Sequence, residues 1–278
     1  MSQVCSRCGM PVRQGFKFCN VCGAQVVEVE CDEATVLPYS VYIGPQGRAV
    51  RQLTGKDAGR FFPIYPAGTI GRDDADIELT EDETMSPCHL RISVRSDGTW
   101  LEDLDSLNGG FLKIKDKAVL RDNDIIRAGD HYFMYEFYAP ERFTEEFGTE
   151  FYAAPHRGER FRLIEILSGG RRGRACMAPD GGIVVGRMEG DFIFPEDKRM
   201  SDKHFTIRWT QRGGILVDHS ANGTFVQIHE PVRVEGGDIF FAGQHLFQII
   251  SKRRVCRRHS SRRPGVLRQS RYSRAIQG

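Results

Sequence analysis

The 278-residue sequence contains no apolar run long enough to cross a membrane as a helix. A spanning helix needs about 20 consecutive apolar residues, whereas the apolar runs here end after a handful, as in residues 182–186. The first twenty residues contain cysteines and arginines but lack the apolar core of a secretory signal. These absences predict a cytoplasmic protein with no membrane span.

Signatures of common enzyme classes are also missing. The sequence has no phosphate-binding loop of an NTPase, no protein-kinase signature, no H-E-x-x-H metalloprotease motif and no G-x-S-x-G nucleophile motif. Nowhere does a base stand beside a nucleophile in a way that favours covalent catalysis. We therefore expect a protein that is not an enzyme.

Charge is unevenly distributed along the chain. The net charge is +2, yet residues 252–278 hold ten Lys and Arg and no acidic residue, which leaves residues 1–251 with a net charge of −8. Such a basic tail is typical of contact with nucleic acid or an anionic membrane, and equally of a solvated, disordered segment. Base stacking is not indicated, because the tail has almost no aromatic residues. Residues 257–260 (RRHS) also match a basophilic kinase site.

Four cysteines near the N-terminus have the spacing of a metal site. The pairs Cys5-x-x-Cys8 and Cys19-x-x-Cys22 are ten residues apart, and a glycine follows each pair. Four thiolates complete a tetrahedral Zn²⁺ shell with no open position, so we expect one structural zinc ion whose binding helps the unit to fold. A disulfide pair or a redox C-x-x-C is the alternative. The unit resembles a short zinc ribbon of the bacterial type.

Beyond residue 40 the hydrophobic pattern has a period of two. Residues 89–94 and 205–209 alternate apolar with polar side chains, and turn residues recur every 8–12 positions. Short alternating strands separated by frequent turns predict an all-β protein built from sandwiches.

An internal repeat divides this β-rich part. Several residues recur 115 or 114 positions later: Gly71-Arg72 as Gly186-Arg187, Ser86 as Ser201, His89 as His204, and Asn108-Gly109 as Asn222-Gly223. The repeat predicts two copies of one domain, which we refer to as the first copy and the second copy. The predicted organisation is a zinc ribbon at 1–27, a linker at 28–45, the first copy at 46–139, a linker at 140–159, the second copy at 160–251 and a basic, disordered tail at 252–278.

The repeated polar residues combine an arginine fork, a hydroxyl and an amide at predicted turns. Together these groups suit a tetrahedral oxyanion held beside a peptide backbone. The three motifs, found twice in the same order over about two thirds of the chain, resemble the signature of forkhead-associated (FHA) domains. FHA domains are β-sandwiches that bind phosphothreonine peptides through loops at one end.

The resemblance implies a role for each matching residue. Arginine and serine contact the phosphate and asparagine holds the ligand backbone; the candidates are Arg72, Ser86 and Asn108 in the first copy and Arg187, Ser201 and Asn222 in the second. Positions that shape the loops are Gly71, His89, Gly109, Gly186, His204 and Gly223.

The two copies depart from the family pattern in different ways. The residue after the motif serine is often basic or an amide in the family, but here it is Pro87 or Asp202. The first copy has acidic residues at 81–83 before its serine, whereas the second has Lys198, Arg199 and Lys203 around its own. A dianionic phosphate favours the basic loop, so we expect the second copy to be the better site. The alternative is that one copy is a spacer.

One threonine lies outside both copies. Thr35 stands in the predicted linker, with acidic residues before it and apolar residues after it. Some small bacterial FHA proteins have such a threonine, which a Ser/Thr kinase phosphorylates and their own FHA domain then binds. We hypothesise the same for Thr35; an ordinary linker threonine is the alternative.

The resemblance thus implies a non-catalytic adaptor of Ser/Thr kinase signalling that binds phosphothreonine proteins. The competing interpretation is a nucleic-acid-associated scaffold that acts through its zinc ribbon and basic tail. In that case the FHA copies would only mediate assembly.

Overall fold

The computed structural model describes residues 2–4, 11–13, 47–138, 158–178 and 182–251. Within these ranges the chain forms β-strands and one 3-10 turn at Ser168–Gly170, and no α-helix. The predicted all-β fold is confirmed. No helix in the described part of the chain is long and apolar enough to span a membrane. The four zinc-ribbon cysteines, Thr35, the linker at 28–45, most of the linker at 140–159 and the tail at 252–278 lie outside the described residues.

Near the N-terminus, two short strands form an antiparallel pair. They are β1 (Ser2–Val4) and β2 (Pro11–Arg13), with Ser2 opposite Arg13. In sequence, Cys5 and Cys8 lie between these strands.

Each copy contributes ten strands. The first forms β3 (Arg48–Gln52), β4 (Phe61–Pro63), β5 (Ala67–Gly71), β6 (Ile77–Glu78), β7 (Leu90–Arg95), β8 (Gly98–Asp103), β9 (Phe111–Lys113), β10 (Lys117–Leu120), β11 (Ile125–Ala128) and β12 (His131–Phe137). The second forms β13 (Phe161–Leu167), β14 (Arg171–Met177), β15 (Gly182–Gly186), β16 (Phe192–Ile193), β17 (Phe205–Thr210), β18 (Gly213–Asp218), β19 (Thr224–Gln227), β20 (Val232–Val234), β21 (Ile239–Ala242) and β22 (His245–Ser251). Each strand of the first copy has its counterpart ten strands later.

The strands pair across the copies. One five-stranded sheet has the order β20-β8-β7-β5-β6, and the other has the order β10-β18-β17-β15-β16. Thus β20 of the second copy pairs with β8 of the first, with Val232 opposite Leu101. Reciprocally, β10 of the first copy pairs with β18 of the second, with Lys117 opposite Val217. The C-terminal strands of each copy, β10–β12 and β20–β22, thus complete the sandwich of the other copy. We call this arrangement the strand exchange.

A ten-stranded sheet joins the two halves of the molecule. Its order is β14-β13-β12-β11-β19-β9-β21-β22-β3-β4. At its centre the counterpart strands β9 and β19 run antiparallel, with Leu112 opposite Val226. The strand order is therefore symmetric about the β9–β19 pair.

Two apolar cores identify two sandwiches. The core of the first sandwich takes its buried side chains from two segments, between Val50 and Leu101 and between Ile228 and Ile249. The core of the second sandwich takes all of them from one segment, between Ile114 and Leu216. The first sandwich thus comprises residues 48–113 and 228–251, and the second comprises residues 114–227. These boundaries differ from those of the two sequence copies. The chain passes from one sandwich to the other after residue 113 and again after residue 227.

Aromatic side chains fill the second core. Tyr135 and Phe161 are fully buried, with ring centroids 5.1 Å apart, and Phe133 packs edge-on against Phe205 at 5.7 Å. Burying each such side chain stabilises the fold by roughly 1.5–3 kcal/mol. Because Phe133 and Tyr135 belong to the first copy and Phe161 and Phe205 to the second, this stabilisation depends on the exchange.

Candidate functional site: two loop clusters

Three loops meet at one end of each sandwich. In the first sandwich they follow β5, connect β6 to β7 and connect β8 to β9, and they carry Arg72, Ser86 and Asn108. The backbone N–H of Arg72 donates to the Ser86 carbonyl at 3.0 Å, and the N–H of Leu107 donates to the Ser86 hydroxyl at 3.0 Å. The Asn108 amide donates to the Thr84 carbonyl at 2.7 Å. We call this arrangement the first loop cluster.

The second loop cluster repeats this geometry. The N–H of Arg187 donates to the Ser201 carbonyl at 2.9 Å, and the N–H of Ala221 donates to the Ser201 hydroxyl at 3.1 Å. The Asn222 amide donates to the Arg199 carbonyl at 2.8 Å. In both clusters the arginine and serine are half-buried and the asparagine is exposed. The structure therefore brings the three predicted site residues of each copy together, and each cluster comes from one copy despite the exchange.

A buried histidine connects two loops of each cluster. In the first, Nδ1 of His89 accepts a hydrogen bond from the Ser86 N–H at 3.0 Å, and Nε2 lies 3.2 Å from the Gly109 carbonyl. Since a carbonyl only accepts, this geometry places the ring proton on Nε2. His89 is fully buried. The ring ties the serine loop to the asparagine loop.

His204 makes the same two contacts in the second cluster. Its Nδ1 accepts from the Ser201 N–H at 3.1 Å, and its Nε2 lies 3.3 Å from the Gly223 carbonyl. Burial lowers the pKa of His204 below its ordinary value of 6.5. The imidazole is thereby kept neutral, which the acceptor role of Nδ1 requires.

Glycine allows the close backbone approaches within the clusters. A Cβ on Gly71 would overlap the Pro87 carbonyl oxygen, and a Cβ on Gly186 would overlap that of Asp202. Larger residues at either position would therefore push the arginine away from the serine loop.

A half-buried aspartate organises each asparagine turn, and the sequence analysis did not identify it. Asp103 accepts hydrogen bonds from the Ser106 hydroxyl at 2.8 Å and from the Gly110 N–H at 2.6 Å. Its counterpart Asp218 accepts from the hydroxyls of Ser220 and Thr224 at 2.7 and 2.9 Å. Burial alone raises the pKa of Asp218, but these hydrogen bonds outweigh it and hold that pKa below its ordinary value. The recurrence of Asp103 after 115 residues is the signal that identifies the pair in the sequence.

A second carboxylate anchors each serine loop to the opposite copy. Asp82 accepts a hydrogen bond from the Gln244 N–H at 2.8 Å, in the turn between β21 and β22. Asp197 accepts one from the Asp130 N–H at 2.8 Å, in the turn between β11 and β12. The position of each candidate phosphate loop therefore depends on a turn of the other copy.

Comparison with protein families agrees with this geometry. The FHA domain model matches residues 68–129 and 183–242, and the zinc-ribbon model matches residues 4–26. The chain carries two FHA domains and an N-terminal zinc ribbon. The resemblance inferred from the sequence motifs is confirmed.

Solved structures of FHA domains are also similar to the chain. The FHA domain of CT664 protein from Chlamydia trachomatis is 12% identical, covers 74% of this chain and 98% of its own, and has a TM-score of 0.31. Mycobacterium tuberculosis EmbR, in complex with a low-affinity phosphopeptide, is 28% identical over 34% of this chain and 26% of its own, with a TM-score of 0.22. A structure from an analysis of phosphothreonine-dependent FHA interactions is 27% identical over 34% of this chain and 98% of its own, also with a TM-score of 0.22. No curated protein matches the sequence.

The arginines of the two FHA domains have different partners. Arg187 forms an ion pair with Asp202, its Nη2 and Nε lying 2.6 and 3.1 Å from Oδ1. In the first cluster Pro87 takes the place of Asp202 and offers no carboxylate. Within the described part of the chain, the Arg72 side chain has neither a hydrogen bond nor an ion pair. Among the described residues, an acidic partner of the site arginine is therefore present in the second cluster and absent from the first.

The surroundings of the clusters also differ in charge. Beside the first cluster lies a groove of about 410 Å³ whose walls come from both copies. Asp57, Glu81 and Asp82 make it acidic, and Lys56 pairs with Glu81 at 2.5 Å. The serine loop of the second cluster instead contains the cations that the sequence analysis identified.

Proposed function

We propose that this chain is a non-catalytic adaptor that binds phosphothreonine peptides at the loop clusters of its two FHA domains. The observation that carries the proposal is the half-buried Arg72 guanidinium, which lies beside the Ser86 loop without a carboxylate partner in the described residues. A guanidinium fork matches the oxygens of a phosphate dianion and forms charge-assisted hydrogen bonds with them.

The serine and asparagine complete the site. The Ser86 hydroxyl accepts from the Leu107 N–H, so its own proton remains available for a phosphate oxygen. The Asn108 amide uses one N–H on the Thr84 carbonyl, which leaves its second N–H and its oxygen for the peptide backbone. The same groups are available on Ser201 and Asn222 of the second cluster.

Two sites on one chain suit a doubly phosphorylated or dimeric ligand. Because both sandwiches share one ten-stranded sheet, their clusters are held in a defined relative position. A ligand that engages both gains avidity when its spacing matches that position. This two-site arrangement fits the proposed adaptor of Ser/Thr kinase signalling.

We also propose roles for the remaining segments from their sequences. The four cysteines fall within the matched zinc-ribbon segment, and four thiolates fit one structural Zn²⁺ ion and leave no position for a substrate. Phosphorylated Thr35 would compete with other ligands for one of the loop clusters. The basic tail supports the alternative function, in which the chain binds nucleic acid by an electrostatic, strongly salt-dependent contact.

The proposal is tested by calorimetric titration of phosphothreonine peptides, one of them spanning Thr35, into the full chain. We expect micromolar binding that disappears without the phosphate and in the Arg72→Ala, Arg187→Ala double variant. Each single variant removes one site, because truncating one partner of a charge pair costs about 2–5 kcal/mol. Arg95→Ala, at the opposite end of β7, is the matched control and keeps both sites.

Three outcomes would contradict parts of the proposal. Binding that persists without the phosphate, or in the double variant, rules out the loop clusters as phosphate sites. Binding of nucleic acid that falls steeply with salt and ignores both arginines favours the alternative function. Equal phosphorylation of wild type and Thr35→Ala by the cognate kinase excludes Thr35 as the switch.

A further inference from the structure

One side chain beside the second loop cluster comes from the first copy. Lys113 is the last residue of β9, directly before the point where the chain passes to the second sandwich. Its Nζ donates to the backbone carbonyl of Asn222 at 3.4 Å. The Nζ also lies 2.6 Å from where a Cβ on Gly223 would stand. The strand exchange thus places a cation against the Asn222-Gly223 turn.

The charge of Lys113 is not neutralised by the described residues. Lys113 is half-buried and forms no ion pair with any carboxylate in that part of the chain. Arg199, one of the three cations around Ser201, is already paired with Asp130. Lys113 is therefore available to a ligand group that runs past Asn222.

The first loop cluster has a neutral amide at the equivalent place. Gln227 ends β19 as Lys113 ends β9, and its side chain lies against Gly109 as Lys113 lies against Gly223. The two clusters consequently share their arginine, serine, asparagine and histidine but differ at this crossed-over position. The chain itself supplies the matched comparison.

We propose that Lys113 is a specificity-determining residue of the second cluster, where it selects phosphopeptides with an acidic side chain near the phosphothreonine. The first cluster, with Gln227 at this place, has no such preference from this position. The inference rests on the proposed function, since it concerns a residue next to the Asn222 amide that holds the ligand backbone. An ammonium–carboxylate contact that is partly exposed favours the acidic peptide by roughly two- to fivefold.

The test isolates one cluster at a time in the full chain. In an Arg72→Ala background only the second cluster binds, and calorimetry compares phosphothreonine peptides that carry Asp, Ala or Lys at each position from three before to four after the phosphothreonine. We expect one position at which Asp is preferred over Ala. Lys113→Gln abolishes that preference and Lys113→Arg retains it. Arg212→Gln removes the same charge at the β17–β18 turn, at the other end of the sandwich, and leaves the preference intact.

The reciprocal variant makes the test independent of any loss of folding. In an Arg187→Ala background only the first cluster binds, and Gln227→Lys is expected to create the acidic preference there. If Lys113→Gln retains the Asp preference, or if Gln227→Lys creates none, Lys113 acts only as a structural contact and the inference is overturned. If phosphate-dependent binding is absent in both backgrounds and in wild type, the proposed function itself fails, and the inference fails with it.

Discussion

The two sandwiches have equivalent strands but opposite chain connectivity. The second is one continuous segment, residues 114–227, whereas the first combines the segments 48–113 and 228–251. The hydrogen bonds around Ser86 and Ser201 are nevertheless the same in the two loop clusters. In each copy the candidate site residues precede the exchange point. The local site can therefore stay intact while the scaffold below it is shared.

The two clusters differ in the partner of the arginine to which the proposed function assigns the phosphate. In the proposed function a phosphate would compete with Asp202 for Arg187, whereas Arg72 has no such competitor among the described residues. At longer range the basic serine loop favours phosphate binding at the second cluster. At close range the Arg187–Asp202 ion pair opposes it. The expectation that the second copy is the better site stays a prediction, and the affinities of the two single-arginine variants decide it.

The largest expected effect concerns the exchange itself. We expect a fragment of residues 114–227 to unfold cooperatively, because it contains every buried side chain of its core. A fragment of the second sequence copy, residues 160–251, lacks Leu120, Ile126, Phe133 and Tyr135. In that fragment the repeat counterparts Val234, Phe240, Phe247 and Ile249 must take these places. Because they differ in size from the side chains they replace, we expect each mismatch to lower the free energy of unfolding by roughly 1–3 kcal/mol. Chemical denaturation of the two fragments measures this, and a 160–251 fragment as stable as residues 114–227 would show that the exchanged strands add no stability over the strands of the same copy.

A smaller effect concerns how the free energy of unfolding changes between neutral and acidic pH. Because burial depresses the pKa of His204 in the folded state, the unfolded chain binds the proton more readily. The contribution of neutral His204 is therefore fully present above pH 6.5 and is lost as the pH falls below that value. Denaturant unfolding of wild type and His204→Gln at pH 7.5 and 5.5 checks the sign: the variant should lose less stability on acidification.

His219→Gln is the control for this measurement, since His219 is exposed and lies in the same loop cluster. It should show the same loss of stability on acidification as wild type. An unchanged pH dependence in His204→Gln would show that other groups, such as the nearby carboxylates of Asp218 and Asp197, dominate instead.

The smallest expected effect comes from moving the carboxylate that pairs with the site arginine from the second cluster to the first. Asp202→Asn frees Arg187 and should tighten phosphopeptide binding in an Arg72→Ala background by about two- to fivefold, the size of a partly exposed ion pair. Pro87→Asp should weaken the first cluster by a similar factor in an Arg187→Ala background. Calorimetry at two salt concentrations measures both, and the effects should shrink as salt rises. If neither variant changes affinity, the Arg187–Asp202 pair does not compete with the ligand.

Much of the site could be predicted from the sequence. The repeat of Gly-Arg, Ser and Asn-Gly in fixed order placed six binding candidates, and the structure brings them together as two groups of three. Turn residues and alternating strands likewise predicted the all-β fold. These features are local, because the period of a strand and the chemistry of a turn are properties of neighbouring residues.

Other contacts could not be predicted from the sequence. The anchors at Asp82 and Asp197, and the approach of Lys113 to Asn222, join residues that are 162, 67 and 109 positions apart. They depend on which copy supplies the C-terminal strands of each sandwich. Since both copies have the same alternation, either pairing buries the same kinds of side chain.

The sequence by itself determined the strands, the turns and the residues of each loop cluster, because short-range pattern and residue chemistry suffice for them. Only the tertiary structure decided which strands pair. Hydrogen bonds between strand backbones do not depend on which copy supplies the strand, so Leu112 can face Val226 as well as a strand of its own copy. That choice gives the second cluster its Lys113 and the first its Gln227.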